Sequence, residues 1–340
     1  MANSIHRRIS ASTQLSYLSN IPSLPRDTPI TRISLMIHGW TCRATHYIPL
    51  ITLLSEQGFG AENGYLYIAV DLPGHGESSS STLPEPEKGG LIELLQVFYE
   101  EILSGLPSQT GADSETNNSN PIPLDFYGHS MGTRVGFGLY SFLSSTIFND
   151  MKVLPTHFIF LDGSFTSTNP PDPISISMMN QYEEILKERA LGGMHKYFGS
   201  RTSESFKTEM RTFMAYSDFP YLLRIAHWYS GYDCFIPSLM DDLSTRNHEW
   251  VSEGKEPVRI LNIQGQEVGP DGRHSIHKDF VTVYMGLLRE HLTPWVTEYV
   301  IEDTSHFVHV DDVEEVARQL VHLHAGGVDA VNSKHEQARL

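Results

Sequence analysis

The sequence is short of cysteine, short of positive charge and without a long apolar run. Its two cysteines, Cys42 and Cys234, cannot build a disulfide framework or a thiolate metal cluster, and they suit a reducing compartment. Both read as small, semi-buried side chains. With 24 basic residues against 41 acidic ones, the net charge of −17 repels phosphate backbones and anionic lipid, so nucleic acid is not an expected partner. No apolar stretch approaches the roughly 20 residues of a membrane span, and no membrane partner is expected. The opening "MANSIHRRISASTQLSYLSN" carries basic residues without the apolar block of a signal peptide, so secretion is not indicated.

What is present is a globular composition, 40% hydrophobic and 19% charged, in a chain of 340 residues, long enough for an α/β domain with an insertion. Short β-rich runs alternate with helical patterns, as parallel strands joined by crossover helices do. Strands are predicted in "RISLMIHG" from Arg32, "YLYIAVDL" from Tyr65, "PLDFYG" from Pro123, "HFIFLDG" from His157, "VRILNIQG" from Val258 and "WVTEYVIED" from Trp295. An N-terminal hairpin is expected in "HRRISAST" and "QLSYLSN". Helices are expected from Leu91, Met131 and Asp311, the last with Asp312 and Glu315 as a capping-box-like start. Pro107 to Pro121 reads as a polar surface loop.

Between Ser164 and about Lys255 the alternation stops, and several helices rich in methionine and aromatic residues are expected. The chain therefore divides into a core of residues 1–164 and 256–330, a helical cap of residues 165–255 and a tail of residues 331–340. A cap inserted there covers the C-terminal edge of the sheet, where open α/β sheets bind ligands. Most of its aromatics are expected to pack the cap, with Met178, Trp228, Tyr229 and Tyr232 lining a pocket. The tail ends in Ala338, Arg339 and Leu340, the small-basic-aliphatic pattern of a peroxisomal import signal. The expected location is peroxisomal, with an import receptor as partner, or cytoplasmic.

"GHSMG", Gly128 to Gly132, matches the Gly-x-Ser-x-Gly nucleophile elbow and follows a predicted strand and precedes a helical pattern, which is the context that motif requires. With "HGW" at His38 to Trp40, "DLPGHGES" at Asp71 to Ser78 and "TSHFVHVDD" at Thr304 to Asp312, it completes four motifs in a characteristic order. From about Ile33 to His324 the chain resembles the α/β-hydrolase superfamily, which implies a doubly wound, mostly parallel α/β sheet with an inserted cap.

The resemblance implies Ser130 as nucleophile, His306 as base, and an oxyanion hole from the backbone amides of Met131 and Trp40. His309, His322 and His324 read more simply as helix-start or helix-surface residues. The acid is less directly marked: three residues after Gly265, the commoner place, stands Val268. Two carboxylates compete. Asp162 directly follows Phe158, Ile159, Phe160 and Leu161, where an unpaired charge would be costly, and it is favoured over Glu267.

Together these residues imply a carboxylic ester hydrolase acting on a mid-sized apolar ester or lactone, with no metal or cofactor required. An epoxide hydrolase or dehalogenase of this superfamily would carry aspartate in place of Ser130. "HGWTC" at His38 to Cys42 and "GYDC" at Gly231 to Cys234 also resemble a branch of cofactor-free dioxygenases, and some proteins of the fold are non-catalytic ligand receptors. A base of unperturbed pKa predicts activity falling as pH drops through about 6.5.

Overall fold

The computed structural model describes residues 4–79, 90–106, 121–143, 153–163, 176–232, 235–266 and 278–325. Glu267, the Pro107 to Pro121 loop apart from Pro121 itself, Cys234 and the C-terminal tripeptide lie outside the described residues. Strands β1 (His6–Ile9) and β2 (Ser16–Ser19) form an antiparallel hairpin. They are followed by β3 (Arg32–Ile37), α1 (Ile48–Glu56), β4 (Tyr65–Val70), α2 (Gly90–Ser104), β5 (Ile122–His129), α3 (Met131–Leu143) and β6 (Val153–Leu161). Four helices come next: α4 (Ile176–Gly193), α5 (Glu204–Tyr216), α6 (Phe219–Tyr232) and α7 (Ile236–Ser252). The chain returns to the sheet with β7 (Arg259–Gln266), α8 (Lys278–Leu292) and β8 (Val296–Glu302), then ends its described part with a short α9 (Val308–Asp311) and α10 (Val313–His324).

The strands form one sheet in the order β1-β2-β4-β3-β5-β6-β7-β8, parallel from β4 to β8. Its residues bury alternately on two faces, because successive side chains of a strand point opposite ways. In β6, Phe158 and Phe160 join the layer beneath α2, α3 and α8, while Ile159 and Leu161 join the layer beneath α1 and α10. Both faces are covered, which is why these strands read as continuous apolar runs.

The strand order reverses at β3, which lies between β4 and β5, so the crevice at the ends of β3 and β5 is a topological switch point. The loop bearing His38 and the loop bearing Ser130 both open there. Helices α1 and α8 are additions to the sequence expectation. Helix α8 supplies the crossover that parallel β7 and β8 require.

Two histidines depart from their sequence reading. His309 is 1% exposed and stacks on Tyr47, with ring centroids 5.3 Å apart. The His324 side chain is also buried, donating from Nε2 to Asp125 Oδ2 at 3.1 Å. The helix pattern placed both on α9 and α10 correctly but could not show that the sheet reaches over them. Asp125, wholly buried in β5, is also met by Arg32 at 2.6 Å, His157 at 2.8 Å and Thr156 at 2.8 Å. Burial alone would raise its carboxyl, but His157, His324 and Arg32 outweigh burial and hold it well below the usual range.

Candidate active site

Strand β5 ends at His129, and Ser130 makes the turn into α3 with φ +50°, a left-handed conformation that costs a non-glycine residue about 1–3 kcal/mol. The turn is tight enough to exclude side chains on both flanks. A Cβ on Gly128 would stand 2.7 Å from the Gly132 backbone, and one on Gly132 would stand 2.2 Å from the Ile37 carbonyl oxygen. The Ser130 N–H donates to Leu161 O at 3.1 Å, and its carbonyl accepts from Thr133 N at 3.1 Å, starting the helix. Met131 is the first residue of α3, so its amide belongs to the unpaired N-terminal turn that favours negative charge.

The loop after β3 passes directly over this elbow. A Cβ on Gly39 would lie 2.6 Å from His129 Nδ1 and 3.1 Å from the Ser130 Cβ. His38 holds the loop to the end of β4: its Nδ1 donates to Gly39 O at 2.8 Å and its Nε2 accepts from Leu72 N at 2.9 Å. Burial, with His75 nearby, pushes the His38 imidazole well below its ordinary value, so this tautomer stays neutral. The "DLPGHGES" segment is a bracket beneath the loop. Asp71 accepts from Ala44 N at 2.7 Å and pairs with Arg7 at 2.6 Å, while His75 Nε2 accepts from Thr41 N at 3.3 Å.

Asp162 follows β6 directly, with φ +48° and 2% exposure. Its N–H donates to Ile263 O at 2.7 Å, and its Oδ1 accepts from Gly265 N at 3.0 Å. The other oxygen, Oδ2, accepts from His306 Nδ1 at 2.5 Å. His306 sits between β8 and α9, 9% exposed, on a segment that rides over the end of β7: a Cβ on Gly265 would stand 2.2 Å from Ser305 O. Burial first and the Arg134 guanidinium second push the imidazole down, to about 3, so the ring is neutral at pH 7.

The His306 backbone is held by side chains. Ser305 N donates to Asp311 Oδ2 at 2.8 Å, Phe307 N donates to Ser305 Oγ at 3.2 Å, and the His306 carbonyl accepts from His129 Nε2 at 2.8 Å. Because His129 is the residue before Ser130, the last bond places the His306 segment against the elbow.

The inserted helices pack on these same loops. The Trp40 indole donates to Leu222 O on α6 at 3.1 Å, Arg43 and His46 reach Glu209 on α5 at 2.8 Å, and Thr202 Oγ1 donates to Asp311 Oδ1 at 2.7 Å. Met194, Phe206, Met210, Met214, Phe219 and Leu222 form one apolar cluster with Cys42 and Phe307. Most of the methionines and aromatics described there are thus packing residues, as the sequence suggested. Met178 falls on α4, and Trp228, Tyr229 and Tyr232 fall on α6; their side chains lie outside what is described. Tyr197, which the sequence marks only as one aromatic among those of the inserted region, has its ring 5.6 Å from that of His306, because only the fold brings it there. A cavity of about 540 Å³ opens between Gly74, Gly76 and helix α5, but its walls include neither Ser130 nor His306.

Ser130, Asp162 and His306, with the Trp40 loop and Met131, therefore converge at the ends of β3, β5 and β6, while Glu267 is outside the described residues. No curated protein sequence matches the chain. Among solved structures it is similar to a bromoperoxidase from Bacillus anthracis (16% identity, TM-score 0.58, covering 94% of this chain and 98% of that one). It is also similar to an esterase from Exiguobacterium antarcticum (15%, 0.56, 92% and 97%) and to the epoxide hydrolase CorEH (14%, 0.57, 95% and 99%). Identities this low carry the fold and leave the reaction open, since three chemistries are named on one architecture. A model of the alpha/beta hydrolase family matches residues 35–319, the span that holds every loop converging on the elbow, and the chain belongs to that family.

Proposed function

We propose that the protein is a serine hydrolase that cleaves a carboxylic ester or lactone through an acyl-enzyme on Ser130. The observation that carries this proposal is the 2.5 Å contact of His306 Nδ1 with the buried Asp162 carboxylate, on a segment bonded to the residue before Ser130. Asp162 fixes the Nδ1–H tautomer, in which Nε2 carries no proton and can accept one. In this mechanism Ser130 Oγ attacks the substrate carbonyl as His306 Nε2 takes its proton. The amides of Met131 and Trp40 receive the charge that develops on oxygen. His306 then gives the proton to the leaving alcohol and activates the water that frees the acid.

The inserted helices act as a cap over that reaction, and their methionine- and aromatic-rich character supports a mid-sized apolar acyl or alcohol group. A series of p-nitrophenyl esters tests both parts. Bulky apolar esters turn over faster than acetate, and Ser130→Ala abolishes turnover. Faster cleavage of small polar acetates contradicts the substrate class, and oxygen consumption without ester cleavage contradicts the reaction. The Ala338-Arg339-Leu340 tail supports import into peroxisomes, and a reporter fused to it that stays cytosolic in import-competent cells would remove that part.

A further inference from the structure

Three loops meet at Ser130, and His129 touches each of them. Its ring is 1% exposed. Its Nε2 lies 2.8 Å from the His306 carbonyl oxygen, which can only accept, so Nε2 carries a proton. A neutral imidazole protonated there carries no proton on Nδ1, and the Cys42 Sγ lies 3.7 Å from that atom, so the thiol donates. Burial pushes the Cys42 thiol up, away from thiolate, which keeps that donor proton in place. Gly39 lies against the same ring with no space for a Cβ. The ring is therefore bonded on both nitrogens and closed off on one side, with one orientation open to it.

We propose that Cys42 and His129 form a positioning relay that sets the distance between Ser130 and His306. The His306 side chain is anchored at Nδ1 by Asp162, but an imidazole fixed at one atom still swings with its backbone. His129 removes that freedom at the carbonyl. The N–H groups on either side are held by Asp311 and Ser305, which belong to the same segment and are tied through Thr202 to the inserted region rather than to β5. Only His129 among these bonds ties the segment to β5, the strand that carries the nucleophile. Cys42 in turn ties the ring to the loop that bears Trp40, so one side chain registers nucleophile, base and oxyanion loop against each other. The relay gives a role to the cysteine of "HGWTC" and to the second residue of "GHSMG", neither of which the hydrolytic steps use.

This inference rests on Ser130 and His306 acting as a pair, and its test separates the two ideas. Glutamine places an amide nitrogen near the position of Nε2, whereas asparagine places its amide near Nδ1 and cannot reach the His306 carbonyl. The readouts are the rate of fluorophosphonate labelling at saturating reagent and the downfield proton NMR signal of the His306–Asp162 bond, with thermal melting as the folding control. His129→Gln is expected to keep the labelling rate near native, His129→Asn to lower it about tenfold or more, with reagent affinity unchanged, through a displaced base. Cys42→Ala lowers the rate in the same direction by a smaller factor. The downfield signal persists in His129→Gln and broadens in His129→Asn.

His129→Asn labelled at the native rate with a native signal, or Gln and Asn variants equally impaired, overturns the relay. Cys42→Ala at the native rate removes Cys42 from it. If native protein is not labelled at all, the hydrolytic proposal fails, and the downfield signal alone then decides whether His129 positions His306. Should His129→Asn not fold, His129→Gln and Cys42→Ala carry the same comparison.

Discussion

At the scale of single residues, the activity of the base depends on which carboxylate faces it. Asp162 meets His306 Nδ1 at 2.5 Å and accepts Gly265 N on its other oxygen, so it is both oriented and committed. Asp162→Asn retains a folded protein and lowers ester hydrolysis by about a thousandfold or more, because an amide no longer holds the productive tautomer. Glu267→Gln leaves the rate at the native level. The opposite pattern in steady-state kinetics would assign the acid to Glu267. Asp162 was legible in the sequence because a carboxylate after four large apolar residues needs a partner. His129 was not, since its contact with His306 joins residues 177 apart, and nothing local marks it.

At the scale of elements, the sheet was legible and parts of its surroundings were not. Strands buried on both faces carry unbroken apolar runs, and Gly or Asp ends them, so β3 to β8 were read to within a few residues. Helix α1 is only nine residues long and α8 carries Val281, Thr282 and Val283, β-branched residues that blur a helical pattern. The Asp125 cluster shows what local pattern misses: β3, β6 and α10 each send polar groups to one buried carboxylate on β5. Asp125→Ala removes the acceptor and leaves Arg32 without its buried counter-charge, so it costs about 3–5 kcal/mol in urea unfolding. It lies midway along β5, roughly 16 Å of strand before Ser130, and the folded variant keeps its activity. An unchanged unfolding midpoint would show the cluster to be dispensable.

At the scale of the whole molecule, buried neutral histidines set the response to acid. Burial lowers His38, His75, His306 and His309, to about 4 for His75 and about 3 for His306. The folded state thus binds fewer protons than the unfolded one below the ordinary value of about 6.5, and stability falls as pH drops from there. Hydrogen bonds to Ser12 and its neighbours lower Glu101, and His46 and Arg43 lower Glu209, each to about 2 against the opposing effect of burial. Their stabilisation is present above about 4.3 and is lost below it, so the decline steepens there. Melting temperature measured from pH 8 to pH 3 should be level above 7, fall from about 6.5 and drop faster below about 4.3. A flat profile between 7 and 5 would mean these histidines are not buried neutral. The acid limb of hydrolysis shifts with His306, to below the value of about 6.5 expected for an unperturbed base. All of this rests on Ser130 being activated by its neighbours, which is tested most directly by intact-protein mass after incubation with a fluorophosphonate. One adduct on the native protein, absent from Ser130→Ala and formed far more slowly on Asp162→Asn, is the predicted result. A folded native protein that gains no mass, or gains it equally without Ser130, would contradict the account.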